Sequence, residues 1–122
     1  MVNGDNHGRA ETATYVAGSQ TKIDQGATVG YGASAETRTR LGANCTIRLG
    51  TIIYHSVQTG DYFQTGHNAM IREKTKAGNH VVIGTNTVID GNVEIGDFVK
   101  IESNCYIATH VTIGSRVFFG PG

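Results

Sequence analysis

The sequence predicts an all-β fold, a single chain wound into a parallel β-helix of about six triangular coils, with little or no α-helix. Three observations carry this expectation. An apolar residue or a threonine returns at every sixth position from Ala17 to Phe119. A second series of restricted residues follows four places after each of the first. Seventeen glycines accompany a single proline and no tryptophan in 122 residues, a composition suited to many tight turns and closely stacked backbone.

The first series reads Ala17, Ile23, Val29, Ala35, Leu41, Ile47, Ile53, Thr59, Thr65, Ile71, Ala77, Ile83, Ile89, Ile95, Ile101, Ile107, Ile113, Phe119. The second runs from Thr21 and Ala27 through Ala33 and Thr39 to Val111 and Val117, and every member except Phe63 is small or β-branched. Two inward positions per six, separated by two residues and then four, describe a short strand followed by a tight turn. Three such turns close a triangle. Eighteen residues then return the chain to its starting edge, and each strand pairs in parallel with the strand eighteen residues on. Residues 15–122 span 108 positions, which is six coils without insertion.

Taken in order, residues 1–14 break the series, with Asp5 and Glu11 at would-be inward positions. They are expected to form a polar N-terminal cap, and residues 15–122 the β-helix. Along the helix one outward row is apolar, comprising Ile52, Met70, Val88 and Tyr106 with Tyr54 beside them. The other two rows are largely polar: Lys22, Arg40, Gln58, Lys76, Glu94 and Thr112 on one face, Thr28, Thr46, Gln64, Val82, Lys100 and Phe118 on the other. An apolar row on one face of three points to a subunit interface, the alternative being an idle exposed patch. At the corner leading into that face, the fourth residue of each hexad is Gly32, Gly50, Asn68, Asn86, Asn104 or Gly122. Glycine and asparagine tolerate a left-handed backbone, so a positive φ is expected at each. The last residues, Val117 to Gly122, present a sheet edge and apolar side chains that another chain or further coils would cover.

Composition excludes several classes of function. Ten basic and ten acidic side chains cancel, leaving no overall field of the kind that marks a nucleic-acid or anionic-membrane binder. The first fourteen residues lack the apolar run of a signal peptide, and no stretch approaches the roughly 20 apolar residues that span a bilayer, so a cytoplasmic location is expected. Cys45 and Cys105 fill small inward slots more than three coils apart, beyond the disulfide limit of about 7 Å between Cα atoms.

The chemistry concentrates in Thr65-Gly66-His67-Asn68-Ala69-Met70-Ile71-Arg72-Glu73. His67 and Asn68 occupy the corner leading into the apolar face, and Glu73 and Lys74 the corner leaving it. In a closed ring of subunits one corner approaches the neighbouring chain, so a cleft could draw His67 from one chain and the far edge from the next. Histidine is the side chain that changes charge near neutral pH, which suits a general base. The alternative is a corner histidine hydrogen-bonded to a neighbouring coil. Among His55, His67, His80 and His110 no two are eighteen apart, so none share a ladder and no metal set is expected. Lys22, Arg38, Arg40, Lys74 and Lys76 are expected along one edge, where they either attract phosphate or are simply solvated.

The repeat, of the form [LIV]-G-x-x-[STAV]-x over residues 15–122, resembles that of the hexapeptide-repeat left-handed β-helix acyltransferase family. The resemblance implies the left hand, against the right-handed rule for ordinary crossovers, and a homotrimer through the face of Ile52, Tyr54, Met70, Val88 and Tyr106. Thr65 to Glu73, Val82 to Asn92 and Val117 to Gly122 resemble the branch that acetylates amino or hydroxyl groups of nucleotide-linked sugars. That branch implies acetyl-CoA as acyl donor, no metal, and sites at the trimer interfaces. It implies His67 as catalytic base and Asn68 and Asn86 as substrate contacts; Glu73 either joins them in orienting the substrate or is solvated, and Arg72 is expected to ladder against Asp90 one coil above as a structural pair. Members of the branch continue past the Gly-Pro motif with coils that complete the acetyl-CoA cleft, so the chain reads as C-terminally short and no cofactor-binding residue is assigned. Two other readings stay open: a noncatalytic trimeric scaffold or fragment of a longer acyltransferase, and a zinc site like that of γ-carbonic anhydrases.

Overall fold

A computed structural model describes residues 10–122. Among these, every regular element is a strand, and the strands stack as a left-handed parallel β-helix with three faces. The first face carries Tyr15–Ala17, Thr39–Leu41, Gln58–Thr59, Lys76–Ala77, Glu94–Ile95 and Thr112–Ile113. The second carries Lys22–Ile23, Thr46–Ile47, Gln64–Thr65, Val82–Ile83, Lys100–Ile101 and Phe118–Phe119. The third, with five strands, carries Thr28–Tyr31, Ile52–Tyr54, Met70–Ile71, Val88–Ile89 and Tyr106–Ile107. Ala10–Glu11 pairs antiparallel with Tyr15–Ala17 and covers that edge of the first face. The remainder of the expected cap, with Asp5, lies outside the described residues.

From Arg40 onward the register is the expected eighteen, as in Arg40 with Gln58, Thr46 with Gln64 and Met70 with Val88. Before that point it is twenty-four: Val16 pairs with Arg40, Lys22 with Thr46 and Thr28 with Ile52. One whole hexad is therefore looped out, and the reckoning of six uninterrupted coils does not hold. The loop satisfies its own backbone. Ala33 N–H donates to Gly30 O at 2.9 Å, and Ser34 N–H to Thr37 Oγ1 at 2.7 Å. Ala35, expected inside, is exposed, while Thr39 and Leu41 take the inward slots. Alanine methyls offer little apolar area, so expelling Ala33 and Ala35 costs little.

The shift in register also rearranges the outward rows. Lys22 belongs to the second face below Thr46, Val16 lies below Arg40 on the first, and Thr28 heads the apolar third face below Ile52. The expected basic edge is accordingly dispersed, with Lys22 on one face and Arg40 and Lys76 on another. Arg38 is turned to the N-terminal segment, donating to Thr12 O at 3.1 Å with Glu11 at 3.9 Å.

Inside, Ile53, Ile71, Ile89 and Ile107 stack in register up the third face, each contributing roughly 1.5–3 kcal/mol of burial. Phe63, the one bulky member of the small series, is 1% exposed. It fits because the smaller Thr59 and Ala77 stand beside it, where the last two coils of the same face have Ile95 and Ile113. Cys45 and Cys105 are free and buried. Gly66 and Gly84 permit the close stacking of coils, since a Cβ there would meet backbone of the next coil, Thr85 N at 2.6 Å and Glu102 C at 2.5 Å.

All six expected positions have positive φ, from 58° at Asn68 to 90° at Gly122. Gly32, however, opens the loop; the residue beneath Gly50 in the corner column is Gly26, whose carbonyl accepts from Gly50 N–H. The other two corners use the same backbone with one asparagine each, Asn44 and Asn92, among residues that carry no such signature: Tyr62, His80, Phe98 and Arg116 on one and Ser56, Lys74 and His110 on the other. The left-handed state costs about 1–2 kcal/mol per residue. A hydrogen bond to the coil below offsets it, as in His80 N–H to Asp61 O and Asn86 N–H to His67 O. On the first of these corners stacking adds to that, with Tyr62–His80 and His80–Phe98 ring centroids at 4.7 and 4.8 Å and Arg116 over Phe98 at 5.0 Å. Asn86→Ala is expected to destabilise the protein by about 1 kcal/mol and Asn86→Gly to change it little, read as shifts of the denaturant midpoint.

Candidate functional site

The structure distributes the expected site residues over the two edges of the third face. At its leading corner the stacked turns are Arg48-Leu49-Gly50, Gly66-His67-Asn68, Gly84-Thr85-Asn86 and Glu102-Ser103-Asn104. His67, Asn68 and Asn86 are all exposed there. The chain holds His67 by its backbone: its N–H donates to Thr85 Oγ1 at 3.2 Å and its carbonyl accepts from Asn86 N–H at 3.0 Å. The imidazole stands clear on the corner, above the exposed Leu49 and below Thr85. This column brings His67, Asn68 and Asn86 together as the sequence led one to expect. It also includes Arg48, an exposed cation one coil below, that sequence reasoning passed over.

Glu73 is not part of that group. It follows the strand Met70–Ile71 and sits at the trailing corner, six residues of largely extended chain from His67, on the order of 15 Å across the face. Its surroundings form a second cluster. Arg72 Nε donates to Glu73 Oε1 at 3.0 Å, and Arg72 Nη1 lies 3.7 Å from Asp90 Oδ1. The expected ladder with Asp90 is present, but Glu73 is the closer partner. The Tyr106 hydroxyl donates to Asp90 Oδ2 at 2.6 Å, and the Arg72 guanidinium lies 4.7 Å from the centroid of the Tyr54 ring. Tyr31 meets Tyr54 edge to face at 5.1 Å. His55 Nδ1 is 2.9 Å from Ser56 Oγ. Tyr31, Gly32, Tyr54, His55, Arg72 and Glu73 line an open hollow of about 180 Å³.

The electrostatics of this cluster are self-consistent. Glu73 is held below the usual carboxylate range, first by its own backbone N–H, then by the Arg72 hydrogen bond and the charges of Arg72 and His55, with burial opposing. Arg72 is raised, chiefly by its hydrogen bond to Glu73. The hydrogen bond to Asp90 raises the Tyr106 phenol and keeps it a donor. The ion pair is about one-third exposed on each side, so it contributes at most about 1 kcal/mol to stability. Its value is in fixing two carboxylates and a guanidinium in place.

Between the two edges runs the apolar row, now Thr28, Ile52, Met70, Val88 and Tyr106 in register. Tyr106 is 63% exposed. Among the described residues of the single chain no group of three histidine, cysteine, aspartate or glutamate side chains converges as a metal would require. No helix among them is long and apolar enough to cross a membrane.

The model of the bacterial transferase hexapeptide family (six repeats) matches residues 92–122. Those residues contain the last strands of all three faces, from Glu94–Ile95 to Phe118–Phe119. Their inward residues stack on the coil above that of His67, with Ile89 paired to Ile107 and Ile83 to Ile101. The match covers the last quarter of the chain, and its transferase connection is the outside support for a catalytic reading. No curated protein matches the chain.

Proposed function

We propose that the protein is an acyltransferase that moves an acetyl group from acetyl-CoA to an amino or hydroxyl group of a sugar or nucleotide-sugar acceptor, acting as a homotrimer with sites at its interfaces. The observation that carries this reading is the division of polar groups between the two edges of one apolar face. His67, Asn68 and Asn86 stand at one edge and Glu73 at the other, too far apart to serve one small molecule within a single chain. A three-fold ring that buries Ile52, Tyr54, Met70, Val88 and Tyr106 brings the leading corner of each chain to the trailing corner of the next. The site is then complete only between subunits.

Acetyl-CoA, when bound, supplies an acyl group activated as a thioester. The chain offers such a donor one exposed cation at this corner, Arg48, one coil below His67 in the column of Gly66. His67 takes the proton from the acceptor's amine or hydroxyl as that atom attacks the acyl carbon, then returns it to the departing thiolate. Asn68 and Asn86 offer amide groups in the column next to His67, and Glu73 of the adjoining chain orients the acceptor. The scaffold reading shares the trimer and omits the chemistry.

The test combines two measurements. Light scattering at micromolar concentration is expected to give three times the chain mass, and acetyl-CoA at millimolar concentration to raise the melting temperature and release heat in calorimetry. A monomer removes the interfacial site. A trimer indifferent to acetyl-CoA leaves the scaffold.

A further inference from the structure

We propose that the looped-out hexad builds a subsite for one pyranose ring, in the hollow of Tyr31, Gly32, Tyr54, His55, Arg72 and Glu73. The proposal deepens the acyltransferase reading, on which it rests for what the ring does there but not for the ring's presence.

The loop creates the hollow. A register irregularity between Val29 and Tyr31 sets Tyr31 opposite Tyr54, where a coil of regular length would already be turning the corner. Tyr31 is 56% exposed and keeps a ring face free, while its contact with Tyr54, at an interplanar angle of 62°, makes an angled aromatic wall. Gly32 leaves the adjacent side open. It has φ +78°, and a Cβ there would come within 3.3 Å of His55 Cδ2. The remaining wall is polar and planar, with Glu73 and Arg72 locked together at 3.0 Å and His55 tied through Nδ1 to Ser56.

This pairing of surfaces suits a pyranose. Its C–H face packs on an aromatic ring, and its hydroxyls donate to a carboxylate in charge-assisted hydrogen bonds. Because Arg72 is already shared between Glu73 and Asp90, the hollow carries no surplus positive charge, which disfavours a phosphate or other anion. The groups are preorganised, so little ordering is required on binding. An open space of about 180 Å³ accommodates a single ring.

The sequence supplies a clean control. Deleting residues 31–36 leaves Val29-Gly30-Thr37-Arg38-Thr39-Arg40-Leu41, a regular hexad in which glycine follows the inward valine and Thr39 keeps its buried slot. The deletion variant is therefore expected to fold with a coil of eighteen and no hollow. Saturation-transfer NMR with methyl glucoside and methyl glucosaminide, and with acyclic sorbitol as comparison, tests the site. Both pyranosides are expected to bind the unaltered protein and the His67→Ala variant alike. Affinity should fall about tenfold or more in Tyr31→Ala and the deletion variant, the loss expected when an aromatic anchor is truncated. Equal pyranoside binding by the deletion variant, sorbitol binding as tight as the pyranosides, or no pyranoside binding at millimolar concentration would each overturn the subsite. Pyranoside binding of the expected pattern without any acetyl transfer would overturn the enzyme reading alone.

Discussion

Ile89→Asp is expected to abolish soluble expression. Ile89 is 0% exposed and lies in register between Ile71 below and Ile107 above. A carboxylate at that level lies between two isoleucines in the closed interior, and burying it unpaired costs several kcal/mol even after its pKa rises to neutralise it. Against a total stability of about 5–15 kcal/mol, that is most or all of the margin. The architecture magnifies the loss, because each coil of a solenoid is stabilised by contact with its neighbours alone, and a break mid-stack separates the coils on both sides. Two companion variants make the expectation specific. Ile89→Val removes one methylene and should cost about 0.5–1.5 kcal/mol. Val88→Asp, one residue earlier, points outward on the apolar row, so the chain should fold and lose its association instead. Solubility, circular dichroism and light scattering on the three proteins check the pattern. A soluble Ile89→Asp protein with the unaltered melting curve would refute the inward ladder.

The same alternation explains what the sequence revealed and what it concealed. Burial at Ile53, Ile71 and Ile89 is dictated by spacing, since side-chain direction in a short strand and tight corner has no freedom once the period is fixed. The extra hexad was invisible for a related reason: six inserted residues return the chain to the same phase, so Leu41 and every later inward residue read alike with or without the loop. Only the size of Ala33 and Ala35 hinted at it. Faces assigned by counting from the N-terminus were therefore displaced before Arg40 and sound after it. The corners show a different limit. Asn68, Asn86 and Asn104 announce a left-handed backbone, whereas Tyr62, His80 and Phe98 reach it through hydrogen bonds and stacking between coils, which residue type does not encode.

The candidate site was half legible. His67, Asn68 and Asn86 fall after the insertion, and the six-residue period alone places them on one column. The cluster of Tyr31, Tyr54 and His55 with Arg72 and Glu73 was missed, except for the last two, because Tyr31 reaches it only through the loop. The signal that could have found it was Tyr31 itself, an aromatic side chain beside Gly30 and Gly32 in a chain otherwise sparing of aromatics.

His67→Ala is expected to lower kcat by about 10²- to 10⁴-fold, the range for loss of a general acid–base group, while leaving the trimer mass and the melting temperature unchanged. His67 is exposed and its structural hydrogen bonds run through its backbone, so truncating the imidazole removes chemistry and not support. A fall in melting temperature of many degrees would instead mark it as a corner strut. The stronger form of the test uses two dead proteins. Glu73→Ala removes the carboxylate at the opposite edge, and its activity, measured below the KM of the acceptor, is expected to fall as well. When His67→Ala and Glu73→Ala chains are unfolded, mixed in equal amounts and reassembled, random association gives every interface an independent His67 edge and Glu73 edge. Roughly one interface in four then carries both side chains intact, so about a quarter of the unaltered activity should return from two inactive parents. A site contained within one chain cannot recover in this way, because every chain in the mixture lacks one of the two residues. Recovery thus depends on the geometry that separates His67 from Glu73 across the apolar face, and a mixture that stays inactive would place the chemistry elsewhere.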